Sequence, residues 1–376
     1  VNHIRVLRSA GIGVTALALV AACGTPPPQN GAASDTPAAT AKSAADFGGL
    51  DKLVEAAKKE GKLNVIALPP DWANYGEMIK AFEAEYGIEV DSAQPDASSQ
   101  DEINAAKQLK GGDRAPDVFD LGLNVALANT DLFAPYQVEK WSDIPGELKE
   151  PSGLYYADYG GFMSIGYDAA KVPAPASVKD LLKPEYQGKV ALNGDPTQAG
   201  AAFSGVVMAS LDNGGSADDI APGVEFFKRL KAAGNFLPVD PSPATIESGQ
   251  TPVVIDWDYT NAAQTAKLAG KADWKVVVPP GAQVGAYYNQ AINKDAPHPA
   301  AARLWQEFLY SDEGQNIFLK GLSRPVRMDA MTAAGTVDAD AAAKLPKTEG
   351  EQVFLTQEQS DKAKQVLSST WAQAVG

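Results

Sequence analysis

From Lys62 the chain alternates strand-like and helix-like runs, and this alternation restricts the fold more than any other feature of the sequence. KLNVIAL (62–68) is a continuous apolar run of strand length. In ANYGEMIKAFEAEYG (73–87) Tyr75, Ile79, Phe82 and Tyr86 recur at helical spacing and Gly87 closes the stripe; IEVDSAQ (88–94) reads as a strand again. Together they make a βαβ unit. Ser99-Gln100-Asp101-Glu102 has capping-box spacing and opens a helix that ends at Gly111-Gly112, after which PDVFDLG (116–122) supplies the next strand. The first half is therefore expected to be an α/β lobe with a largely parallel sheet.

The pattern continues with LYYADYGGFMSIGYD (154–168), a long, aromatic, glycine-rich extended segment. KVALNGDP (189–196), TPVVIDWD (251–258) and WKVVVP (274–279) supply strands; 199–211, 224–234 and TNAAQTAKLAG supply helices. YYNQAIN (287–293) is extended again, the residues 300–321 read as one long amphipathic helix, and the last helix offers Val366, Leu367 and Trp371 for packing. Roughly 330 residues of this kind exceed what one core usually holds, so two lobes are expected.

Ahead of this region lies an export signal. Arg5 and Arg8 precede the uncharged run AGIGVTALALVAA, which is shorter than the roughly 20 apolar residues needed to span a bilayer. Residues 1–22 are read as the leader, and Val20-Ala21-Ala22-Cys23-Gly24 resembles the lipobox of bacterial lipoproteins, which makes Cys23 the lipidated residue. The Pro/Ser/Thr/Ala/Gly-rich residues 23–45 are expected to be a flexible tether. Cys23 is the only cysteine, so the folded part has no internal disulfide. A formal charge of −15, more negative still without the leader's arginines, argues against nucleic acid and against an electrostatic membrane grip.

Several chemistries lack their residues. His3 falls in the leader and His298 sits between prolines at a helix start, a poor setting for a Ser-His-Asp or Cys-His mechanism. Zinc sites built on histidine or cysteine are excluded by the same count, and no phosphate-binding glycine motif is present. Carboxylates and tyrosines remain, enough for a glycosidase in principle, and a binding protein needs no more.

Read in order, KLNVIALPPDWANYGEMIKAFEAEYGIEV, PDVFDLG, SVKDLLKPEYQGKVALNGDP, GQTPVVIDWDYTNAA and YYNQAINKDAPHPAAARLWQEFLYSDEGQ resemble the solute-binding subunits of ABC importers. The likeness is to type II periplasmic binding proteins of the spermidine/putrescine group and the related ferric-ion and phosphonate binders. It implies an α/β protein of two lobes with a ligand cleft between them, lobe 1 formed by 46–157 plus 288–325 and lobe 2 by 158–287 plus 326–376. It also implies a non-enzymatic, monomeric receptor without a cofactor, held near the permease and ATPase subunits by the lipid on Cys23. The expected ligand is a small polar, polyamine-like solute, with a ferric ion or a phosphonate or carboxylate as the alternative and a secreted carbohydrate-active enzyme as the remote one.

Candidate ligand contacts follow from the resemblance and from strand geometry. In a strand over 251–258, Asp256 and Asp258 share one face while Trp257 and Tyr259 share the other. Trp257 matches a tryptophan that walls the ligand in polyamine binders. Asp256 and Asp258 compete between ligand contact and capping of the next helix. Tyr259 lacks the adjacent tyrosine of the ferric-ion binders. Asn289 stands where polyamine binders carry an amine-anchoring aspartate. Asp158, Tyr159 and Tyr288 lie in the two crossing segments, and Asp71 and Trp72 follow the first strand, where open α/β sheets bind ligands. Arg324 and Arg327 are the evident handles for an anion.

Overall fold

The structure, a computed structural model, describes residues 38–376. The leader and Cys23 lie outside the described residues. The first half contains α1 (Leu50–Glu60), β1 (Lys62–Ile66), α2 (Tyr75–Tyr86), β2 (Glu89–Ala93), α3 (Ser99–Gln108), β3 (Val118–Gly122), α4 (Leu123–Ala128), β4 (Phe133–Ala134) and β5 (Tyr156–Asp168). The middle supplies β6 (Val190–Leu192), α5 (Gly200–Asp212), α6 (Ala221–Ala232), α7 (Pro243–Glu247), β7 (Val253–Trp257), α8 (Asp258–Lys267), β8 (Trp274–Val277) and β9 (Gln283–Asn293). The chain ends with α9 (Pro299–Leu309), α10 (Asp312–Lys320), β10 (Arg324–Pro325), α11 (Met328–Ala334), α12 (Ala339–Ala342), β11 (Gln352–Phe354) and α13 (Gln357–Val375).

Two strands are shared between lobes. Tyr156–Phe162 of β5 pair antiparallel with β9, whereas Met163–Asp168 of the same strand pair with β7 and β8. Along β9, Tyr288–Ile292 pair with β3 and Gln283–Gly285 with β11. The first lobe is consequently built on a small parallel sheet and on part of a separate nine-stranded one. β1 and β2 are parallel, as expected, but β3, β4 and β5 all run antiparallel to β9, because a strand that returns from the other lobe enters the sheet reversed. β6 pairs parallel to β7 in the second lobe.

Some local expectations shift. The capping box of α3 uses Ser98 with Asp101, leaving Ser99 Oγ to accept the Gly122 N–H at 3.1 Å. The run 300–321 is two helices, because the chain breaks at Tyr310-Ser311 and Ser311 Oγ accepts the Gly314 N–H to start α10. Residues 327–342 are tied by polar groups to residues 143, 310 and 316: Arg327 binds Asp143 and the Tyr310 carbonyl, and the Asp338 N–H binds Asn316. The last residues of the expected tether are also packed. Ala41 and Ala44 are buried, and the buried Arg303 guanidinium donates to the carbonyls of Ala39 and Ala41.

Close approach at the crossing requires glycine. A methyl group on Gly161 would sit 2.5 Å from Asp258 Oδ1 and 2.6 Å from the Tyr259 ring. Gly161→Ala is therefore expected to destabilise the protein by about 1–3 kcal/mol, read as a lower urea midpoint. An unchanged midpoint would mean that β5 and α8 separate without cost.

Candidate functional site

The elements around the crossing strands bring most of the candidate residues into one region, in three chemically distinct layers. The first is aromatic. Trp72 lies on the loop after β1, whose backbone adopts positive φ at Ala67 (57°), Ala73 (45°) and Asn74 (67°), a conformation unfavourable for alanine. That loop directs Trp72 edge-on to Tyr259 and Tyr288, each at 5.6 Å between ring centroids. Tyr159 stacks on Tyr288 at 5.7 Å, and Trp257 stacks on Tyr259 at 6.3 Å. Beside this cluster Asp71 pairs with Lys267 of α8 at 2.5 Å.

The second layer is a buried acidic network. Trp72 Nε1 donates to the Tyr159 hydroxyl at 2.7 Å, which in turn donates to Asp120 Oδ2 at 2.7 Å. Gln290 Nε2 bridges Asp120 Oδ1 at 3.2 Å and Asp158 Oδ2 at 2.9 Å. Burial raises the pKa of both carboxyl groups, and their proximity raises that of Asp158 further. This network satisfies itself, so Asp158 is directed into the crossing and away from the cleft.

Asp256 and Asp258 are also engaged. Asp256 is buried, accepts the Trp257 N–H at 2.7 Å, and has its pKa pushed up to about 7 by burial. Asp258 accepts the N–H groups of Phe162 and Tyr259, both at 3.0 Å, and an Arg324 N–H at 2.6 Å. It neither caps α8 through its side chain nor faces open space; it is the buried anion of an ion pair joining β5, α8 and β10. Burial still raises its pKa, against the pull of Arg324. The two arginines read as anion handles are thus internal partners, Arg324 of Asp258 and Arg327 of Asp143 and Asp312.

The third layer is a cavity of ≈ 270 Å³ where the C-terminal end of β3 faces the start of α5. Trp257, Tyr288 and Asn289 line it; the other seven candidates do not. Its remaining wall holds Gly122, Asn124, Gly200 and Ser204, and Glu147 and Lys149 are its only charged residues. Gly122 and Gly200 let the lobes meet, since a methyl group on Gly122 would lie 3.6 Å from the Gly200 Cα. A methyl group on Gly200 would lie 3.5 Å from the Tyr288 hydroxyl. Trp257 Nε1 is buried and interacts with the Tyr288 hydroxyl, but among the described residues it makes no hydrogen bond of good geometry, and the first turn of α5 has no side-chain cap. Unsatisfied donors thus gather beside an aromatic wall. A wider groove lined by α8, β8 and residues 344–349 contains none of the candidates.

Sequence reading missed the two glycines, Asn124 and Ser204. The available signal was glycine at a strand end and at a helix start, where no turn requires it. His298 serves structure: it precedes α9, and its Nδ1 lies 2.9 Å from the buried Asp117. Among the described residues no three His, Cys, Asp or Glu side chains are grouped to hold a metal ion, and no helix is long and apolar enough to cross a membrane.

Two lobes joined by shared strands, with a cavity at their seam, define the periplasmic binding protein fold. The chain belongs to the family described as bacterial extracellular solute-binding protein, which it matches over residues 115–350. It is 26% identical over 136 residues to the probable ABC transporter periplasmic-binding protein y4fP of Sinorhizobium fredii, a match spanning 35% of this chain and 37% of that relative. Its fold is similar to that of the ferric binding protein from Campylobacter jejuni (17% identity, TM-score 0.61, covering 83% of this chain and 99% of that one). It is also similar to AgtB of A. tumefaciens R10 in complex with agropinic acid (13% identity, TM-score 0.66, covering 84% and 98%). At these identities the likeness is one of fold.

Two outcomes test the electrostatics. Asp256 has a folded pKa raised from 3.8 to about 7, so between these values the native state binds more protons than the unfolded one. Its contribution to stability therefore falls as pH rises through that window. Asp256→Asn is expected to flatten the fall in unfolding free energy between pH 4.5 and 7.5, measured by urea titration; a slope equal to wild type contradicts this. Arg324→Met leaves Asp258 buried without its cation and is expected to cost about 3–5 kcal/mol. A loss below about 1 kcal/mol would show the pair to be solvent-screened.

Proposed function

We propose that the protein is the solute receptor of an ABC importer, tethered to the outer face of the cell membrane by a lipid on Cys23, and that it acts as a monomer without turnover. Family membership supports capture of a solute, the match to y4fP supports the importer as recipient, and the lipobox-like Val20–Cys23 supports the anchor. The solute sits in the cavity between Gly122 and Gly200, so its arrival favours closure of lobe 1 (46–157 with 288–325) on lobe 2.

The observation that carries the ligand class is the distribution of charge. Asp256, Asp258 and Asp158 are occupied by internal partners, whereas the cavity presents the Trp257 indole N–H, held only by a loose contact with the Tyr288 hydroxyl, and the uncapped start of α5. Donors of this kind favour a small polar solute carrying a carboxylate, phosphonate or phosphate oxygen against an apolar body. A polyamine is the second reading, favoured by the Trp257 and Tyr288 rings and the Glu147 carboxylate at the cavity.

Calorimetry of the mature domain against 2-aminoethylphosphonate, fructose 6-phosphate, putrescine, spermidine and ferric citrate separates these classes. Heat is expected with an oxyanion-bearing compound, and Trp257→Phe, which removes the donor and keeps the ring, is expected to weaken that binding about tenfold, in line with ~1–1.5 kcal/mol for one hydrogen bond. Heat with the polyamines alone overturns the oxyanion assignment.

A further inference from the structure

The C-terminal strand and helix form one side of the cavity. Phe354, Thr356, Gln357 and Ser360 line it, so β11 and the first turns of α13 face the solute position. Their attachment is uneven. β11 pairs with β9 over three residues, and Gly285 leaves the space that Phe354 fills, since a methyl group there would lie 2.5 Å from the Phe354 ring. Phe354 also lies against Tyr287 at 6.2 Å, yet remains 45% exposed. The far half of α13 is anchored on α6, where Trp371 meets Phe227 at 5.3 Å and Leu367 and Ala374 are buried.

Between these anchors one polar contact crosses to the other lobe. Lys364 Nζ donates to the Asn124 carbonyl in the first turn of α4 at 2.6 Å. Lys364 is half-buried, forms no ion pair among the described residues, and has its pKa lowered by burial. Desolvating an ammonium for a single carbonyl is costly, so the contact persists only where the surroundings hold α13 and α4 together. Four residues, one helical turn, before Lys364, Ser360 is 4% exposed and its side chain makes no hydrogen bond among the described residues.

We propose that α13 is the solute-selecting wall of the cavity: Ser360 contacts the solute, and Lys364, a positioning residue, straps the wall to α4. This rests on the cavity being the solute site. A neutral hydroxyl at that position discriminates among solutes by the hydrogen bonds they offer, whereas Trp257 and the start of α5 hold the anionic group common to them. The wall belongs to the second lobe and the strap's acceptor to the first, so closure and selection become one event.

Amide hydrogen exchange on the full mature chain tests the strap without a ligand. Lys364→Met is expected to accelerate exchange over 356–364 at least tenfold while 367–375 and α6 keep their protection, and Lys364→Arg is expected to restore it. Unchanged exchange in Lys364→Met overturns the strap. Selection is read from dissociation constants for 2-aminoethylphosphonate and fructose 6-phosphate. Ser360→Leu, or Ser360→Ala if the larger residue does not fold, is expected to change their ratio at least fivefold. A constant ratio alongside weakened binding in Trp257→Phe overturns the wall and leaves the site standing. Binding unaffected by either substitution overturns both.

Discussion

β5 and β9 lie side by side in antiparallel pairing, and each strand continues from the sheet of one lobe towards the other. The pair is the axis on which every other contact of the cleft depends. Strands that cross between two sheets must pass close to the elements packed above them, which accounts for the glycines of β5: a methyl group on Gly160 would lie 2.5 Å from the Ala286 carbonyl and one on Gly161 2.5 Å from Asp258. The Asp258–Arg324 pair then ties the start of α8 to β10, which itself pairs with β5 at Tyr159 and Gly160. Arg324 also donates to the Pro346 carbonyl, so the last passage of the chain is held by the same side chain.

This arrangement separates two uses of polar groups. Carboxylates are spent inside the crossing, where Asp120, Asp158, Asp256 and Asp258 hold strands, a glutamine, tyrosines and an arginine in place. The cavity keeps mainly neutral donors and aromatic faces, with Glu147 and Lys149 as its charged residues. A buried carboxylate that already accepts two or three hydrogen bonds gains little from a ligand and loses its partners if it turns. The aromatic cluster of Trp72, Tyr159, Tyr259 and Tyr288 joins the loop after β1 to the cavity wall through ring contacts.

The elements with strong periodicity were readable from sequence because burial imposes it: β1, α2, β7 and α13 fall within a few residues of their expected bounds. The join at Tyr310-Ser311 was not, because the apolar spacing of α9 continues into α10 through the break. Among the candidate residues, Trp257, Tyr288 and Asn289 reach the cavity. Asp258 could be placed at the strand end from sequence, but its partner is 66 residues away, and no local pattern tells an internal ion pair from a ligand contact. Gly122 and Gly200 were missed for the same reason: their importance lies in facing each other across a seam that only the fold creates.

The proposed place for the solute is the seam between β3 and α5. The most direct measurement is mass spectrometry of the small molecules released when the natively purified chain is denatured, compared with Gly200→Val, whose side chain would occupy the space between Gly122 and Tyr288. One oxyanion-bearing compound released at near-stoichiometric yield by the wild type and lost from Gly200→Val is the predicted result. The same compound retained in equal yield by Gly200→Val would contradict it.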